Sequence, residues 1–231
     1  MLRAPPTTLF LLSLLTAPVR ADVGATLSVQ TDARERGLSY SGNKPDAQFG
    51  VAWDGANGWY AGASLTHASF GDRSGAALHT YGGRVFGLRP GLDGEAGLLV
   101  HRFENVSSYD FTEAYAALLG ERWNLRFYAS PDFYGIGQRS LYSELNLHWP
   151  LSRAVAAIGH VGLMRGWGGQ AGAYADPQGR VRVDWRAGLS SQLGEGSELQ
   201  LAWVAVSRGG PYTWTNKTRR RTAVLSLTTA F

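Results

Sequence analysis

The clearest regularity along the chain is a strict two-residue alternation. In residues 180–189 the odd positions carry Val181, Val183, Trp185, Ala187 and Leu189, while Arg180, Arg182, Asp184 and Arg186 take even ones. Successive side chains of a strand point to opposite faces, so this segment has one apolar and one charged face. The end of the chain repeats the pattern. Ala223, Leu225, Leu227, Thr229 and Phe231 share one face, and Thr222, Ser226, Thr228 and Ala230 share the other. A soluble sandwich could place the charged face in water; a membrane barrel would place the apolar face in lipid and the charges in its lumen.

Followed from end to end, the alternation predicts about twelve strands, near residues 23–36, 45–53, 58–68, 78–88, 94–103, 111–119, 123–130, 139–149, 154–167, 180–191, 198–206 and 219–231. No stretch combines helical periodicity with capping signals. The connections sort by length. Short ones fall at 54–57, 89–93, 120–122, 150–153 and 192–197, rich in Gly, Pro, Asn and Asp. Longer ones fall at 37–44, 69–77, 104–110, 131–138, 168–179 and 207–218. An even strand count with sorted connections predicts an all-β fold: an antiparallel transmembrane β-barrel with short periplasmic turns and longer extracellular loops. Closure also removes the unpaired strand edges that lipid would not tolerate. Tryptophans support it, because Trp53, Trp59, Trp123 and Trp149 flank short turns while Trp167 and Trp214 sit by long loops. Two interfacial girdles place amphipathic rings there.

The first residues read differently. Arg3, an apolar run from Leu9 to Leu15, and the small-residue site Val19-Arg20-Ala21 predict a cleavable signal peptide over residues 1–21. The run is far below the roughly 20 residues of a spanning helix. The barrel domain is then 22–231. Loss of Arg3 and Arg20 lowers the formal charge from +4 to +2. The cluster at Lys217, Arg219, Arg220 and Arg221 then reads as a charged strand end, with no nucleic-acid partner implied. The chain contains no cysteine, so an exported form neither gains nor risks a disulfide.

Parity selects the candidate lumen lining: Asp32, Arg34, Arg36, Arg84, Arg102, Arg126, Glu144, Arg165, Arg180, Arg182, Asp184 and Arg186. Rings of arginine in a pore favour anions. The same groups could instead pair across the lumen and fill it, because twelve strands lie between filled eight-stranded barrels and open sixteen-stranded ones. On the first strand Glu35 falls on the outward parity, tolerable only near an interface. Catalytic chemistry finds little support: of His67, His79, His101, His148 and His160 only His67 belongs to a His-x-Ser pair (with Ser69), and none lies near a Gly-flanked serine elbow. His148 and Glu144 stand roughly 13 Å apart along one strand face, too far for direct contact. No metal or cofactor is expected either. There is no cysteine, no His pair at i,i+2 and no H-E-x-x-H, and Asp72 and Asp176 are isolated loop acids.

Three stretches carry a family resemblance. Residues 31–39 (Thr31-Asp32-Ala33-Arg34-Glu35-Arg36-Gly37-Leu38-Ser39), the Pro45-to-Gly50 segment and Gly58-Trp59-Tyr60-Ala61-Gly62 resemble the start of the TorF family of porin-like proteins. Glu144-Leu145-Asn146 and His160-Val161-Gly162 are similar to its second half, and Ala33 and Glu35 stand where that family carries aromatics. The resemblance implies a bacterial outer-membrane barrel without a known active site. Its expected partners are outer-membrane lipid and lipopolysaccharide, the barrel assembly machinery through the strand ending in Phe231, and small solutes. A non-conducting structural or adhesion barrel, or a lipid-modifying enzyme, would share this fold.

Overall fold

The computed structural model describes residues 22–70, 73–168, 181–211 and 218–231; the expected signal peptide, Arg180 and Trp214 lie outside them. In chain order the strands are β1 (Asp22–Gln30), β2 (Arg34–Glu35), β3 (Leu38–Ser39), β4 (Asp46–Asp54), β5 (Trp59–Phe70), β6 (Arg73–Arg89) and β7 (Leu92–Phe103). They continue as β8 (Phe111–Gly120), β9 (Trp123–Phe133), β10 (Gln138–Pro150), β11 (Val155–Trp167), β12 (Val181–Gln192), β13 (Ser197–Val206) and β14 (Arg221–Ala230). Twelve of them, all but β2 and β3, form one closed antiparallel barrel in which each pairs with its neighbour along the chain. The barrel closes where β1 meets β14, with Thr26 opposite Ala230 and Gln30 opposite Ser226. Beyond β14, the Phe231 amide donates to the Ala25 carbonyl at 2.9 Å, so the last residue is tied into the closing seam.

The wall is inside-out relative to a soluble protein. Leu27, Val29, Leu65, Leu98, Leu163, Leu201, Leu225 and Leu227 are exposed on the outer face, while Ser28, Gln30, Glu95, Arg126, Asp184 and Ser226 are buried within. That arrangement suits lipid outside and polar contents inside. It follows from the alternation alone, since register slips would turn every apolar side chain inward. The short turns use the backbone freedom expected of them. In the turn before β5, Asn57 and Gly58 have φ of 57° and 77°, and a Cβ on Gly58 would run into the Val85 carbonyl.

Two expectations fail at the long-loop end. β5 and β6 continue to Phe70 and Arg73, pairing in register throughout, so residues 69–70 and 73–77 belong to the two strands and not to a loop. His67, Ala68 and Ser69 opposite Ala76, Gly75 and Ser74 extend the ladder beyond the apolar band, where polar residues no longer mark a strand end. The second failure matters more. β1 stops at Gln30, and residues 32–41 turn into the barrel instead of prolonging the wall to 36.

Candidate functional site

The inward segment is a miniature hairpin. β2 and β3 pair Arg34 with Ser39 and Glu35 with Leu38, joined by Arg36 and Gly37 at φ of 49° and 75°. Two consecutive positive φ values are the mark of a type I′ turn. An arginine in that region is uncommon, so tertiary contacts must hold it. Asp32 braces the base of the hairpin. Its carboxylate accepts from Arg34 Nε at 2.7 Å and from Ser39 Oγ at 2.6 Å. Arg34 also donates to the carbonyls of Gly37 and Arg219, and the Tyr40 amide donates to Ala33.

The tip crosses the lumen. A Cβ at Gly37 would lie 2.6 Å from Cβ of Asp184 and 2.9 Å from Cβ of Val206, so only glycine lets the turn approach β12 and β13 this closely. The Arg36 side chain runs the other way, to β8, where its two terminal nitrogens clamp both oxygens of Glu113 at 2.9 and 2.5 Å. Its guanidinium lies 5.0 and 4.6 Å from the ring centres of Tyr128 and Tyr142. Burial works against the Arg36 charge, but Glu113 outweighs it and raises the guanidinium well above its ordinary range. Burial, reinforced by Glu35, likewise pushes the Tyr40 phenol well up.

Around the hairpin the lumen divides. Against β5–β9 it is nearly filled, with a residual cavity of about 10 Å³ beside Glu95, Tyr115 and Arg126. Tyr40, Phe70, Phe103, Phe111, Phe133 and Tyr134 form one buried cluster at the long-loop end, with Phe70 and Phe103 centres 5.0 Å apart. Nearer the short turns, Arg126 pairs with Glu95 at 2.5 Å, and Tyr60 donates to the same carboxylate while meeting Tyr115. Against β10–β14 a cavity of about 140 Å³ remains, bordered by Arg36, Glu144, His160, Asp184, Arg186, Gln200 and Ser226. On its rim His160 faces Asp184 at 2.9 Å and Asn146 at 2.7 Å. Arg182 and Arg186, both buried or nearly so, keep guanidinium nitrogens without a hydrogen-bond partner among the described residues.

A family model described as a bacterial protein of unknown function (Gcw_chp) matches residues 16–231. The chain belongs to that family. No curated protein matches the sequence. Among solved structures it is similar to NanC porin (TM-score 0.58, 10% identity, covering 90% of this chain and 99% of that one). It is similar to KdgM porin at TM-score 0.57, again with 10% identity over 90% and 99% of the two chains. An outer-membrane channel from Pseudomonas putida F1 gives TM-score 0.52 and 13% identity over 93% and 96%. At such identities the likeness carries the fold: a closed twelve-stranded barrel of porin type.

The Gcw_chp barrel sorts the predicted lumen residues into two sets. Asp32, Arg34, Arg36, Arg126, Glu144, Arg182, Asp184 and Arg186 do face the interior. Arg84, Arg102 and Arg165 do not. Arg84 stands opposite Trp59 on the outer face, its guanidinium 5.6 Å from that ring, and donates to the Asn57 carbonyl. Arg102 is exposed and pairs with Asp110, and Arg165 is exposed beside Leu163 and Trp167. Their parity already said so: each alternates in step with outward apolar residues, and each lies near a strand end, where a long cation reaches the interface. Glu35 errs the other way, since it is inside the lumen and not on the outer face. Sequence reading also passed over Glu95 and Glu113. Glu113 lies between Phe111 and Tyr115, on the parity that turned out to be inward. With Glu198, also buried, the described lumen acids outnumber the five inward arginines, and the lumen is a largely paired network in which Arg182 and Arg186 on β12 keep free donors. The stretch resembling the TorF motif, residues 31–39, is the inner hairpin itself.

Proposed function

We propose that this chain is an outer-membrane channel for small polar solutes, anions among them, with a built-in constriction made by residues 32–41. The observation that carries this reading is the asymmetry of the lumen: one side is packed, and the other keeps a polar cavity lined by Arg186, whose guanidinium retains a donor without a hydrogen-bond partner. A dead core would satisfy such donors, because unpaired buried polar groups are costly. A solute carboxylate or phosphate passing along β12 would satisfy them in turn. One solved structure of KdgM porin is described as a complex with disordered oligogalacturonate, which supports an anionic cargo here. In this reading the apolar outer belt faces outer-membrane lipid and lipopolysaccharide. The strand ending in Phe231 is the handle for the assembly machinery, and residues 1–21 direct export.

A non-conducting barrel is favoured by one observation, the Arg36–Glu113 clamp that spans the lumen. An enzyme is less well supported: His160 bonds Asp184, Asn146 and Tyr142, a set with no nucleophile of the serine or cysteine type. Planar bilayers under a salt gradient decide between the first two. The channel reading expects small conductance steps with a reversal potential on the anion side. Cation preference would remove the anionic cargo, and silence in all conditions would favour the sealed barrel.

A further inference from the structure

Where the hairpin touches the packed wall, the register of two strands creates a donor set that no single strand contains. His79 on β6 and His101 on β7 are directly opposite one another, both buried, with ring centres 4.5 Å apart. Glu35 of the hairpin comes down upon them. One ring nitrogen of each histidine and a carboxylate oxygen of Glu35 all lie within 4.8 Å of one another.

The state of the two rings points to a ligand. His101 Nε2 lies 3.1 Å from Glu113 Oε2, and because a carboxylate only accepts, that nitrogen carries the proton. Nδ1 of the neutral ring is then a bare lone pair, and it is fully buried with no hydrogen-bond partner. His79 Nε2 is likewise buried and without a partner. Two orphaned imidazole nitrogens in a buried histidine pair beside a carboxylate are costly as a resting core. They are ordinary as metal ligands. The carboxylate behind His101 is the outer-shell partner that fixes a ligating tautomer and raises its basicity. Charge agrees, because Glu35 and Glu113 face a single guanidinium, that of Arg36, and a dication offsets the excess.

We propose that Glu35, His79 and His101 form a binding site for one divalent transition-metal ion of the zinc class. Two histidines and one carboxylate with a position left for water is an established ligand set for such ions. Metal–ligand bonds of about 2.0–2.1 Å require the donors to draw together by roughly 1 Å. Glu35 lies on a hairpin and can supply that movement. The ion reaches the site from the β10–β14 cavity, which Glu35 also borders. Because one ligand is on the hairpin and two are on the wall, the bound ion clips the constriction in place. Binding itself stands on this geometry alone; its effect on conductance rests on the channel reading above.

The test is titration of the refolded, detergent-solubilised barrel with Co(II), followed by visible absorption and by displacement with Zn(II). The expected result is one equivalent bound with the intense bands of a low-coordinate nitrogen and oxygen site. Affinity should fall at least about tenfold in His79→Gln, His101→Gln and Glu35→Gln, and should weaken on acidification as the imidazoles protonate. Glu35 is outside the barrel wall, so Glu35→Gln keeps the test valid should a histidine variant fail to close. Heat-modifiable gel mobility reports closure in each case. No stoichiometric spectrum, or a spectrum unchanged in Glu35→Gln and in a folded histidine variant, overturns the site. Metal-bound protein that conducts no differently would leave the site standing and count against the clip.

Discussion

The two sides of one lumen are built on opposite terms. From β5 to β9 the buried carboxylates Glu113 and Glu95 each have a guanidinium, Arg36 and Arg126, and aromatic rings fill most of what remains. From β10 to β14 the inner face offers Glu144, Arg186, Gln200 and Ser226 to open space. Strand number is common to both, so it does not decide whether a barrel is open. The contents do. The hairpin packs on the filled side through Arg36 and Tyr40 and reaches β12 and β13 at the Gly37 turn, leaving the polar cavity beside it as the path of least obstruction.

Removing the hairpin breaks this comparison most thoroughly. Replacing residues 32–44 by a short Gly/Ser linker should raise single-channel conductance several-fold, and bilayer recordings would show it. Arg36→Ala comes next. It strands Glu113, which has no solvent exposure, as an unpaired buried charge, and breaking such a pair costs about 3–5 kcal/mol. Long, noisy openings should accompany lower denaturant resistance in vesicles. Phe111→Ala acts on the packed side alone. Its ring stacks on His101 at 3.9 Å, and truncation should destabilise the barrel by about 3–5 kcal/mol with ion preference unchanged. Arg186→Gln acts on the open side alone, shifting the reversal potential toward cations with little loss of stability. The smallest effect belongs to Arg84→Gln and Arg102→Gln, which face outward and should leave the reversal potential where it was.

The wall was legible because alternation is a local property. Val181, Trp185 and Leu189 must share a face in any strand, so the barrel, its seam and its short turns could be read in advance. The interior was not, for two physical reasons. First, alternation does not distinguish a strand that stays in the wall from one that leaves it: Asp32, Arg34 and Arg36 keep the parity of Ser28 and Gln30 while lying on a different element. Glu35 was the available signal, since a carboxylate on the lipid side of a strand is out of place. Second, the lumen is assembled across strands. His79 and His101 meet through register, and a search for ligand pairs along one strand cannot see them. Arginine alone was also a poor guide, because at strand ends it reaches the interface as readily as the lumen.

The central claim is that residues 32–41 are folded inside the barrel. Residue-level amide hydrogen exchange on the reconstituted protein tests it most directly. The amide of Tyr40 donates to Ala33, and that of Ser69 donates to the Tyr40 carbonyl, both at 2.7 Å. The account predicts that the Tyr40 and Ser69 amides exchange slowly, within reach of the barrel strands themselves. Exchange of the Tyr40 amide at the rate of a free loop would place the segment outside and contradict it.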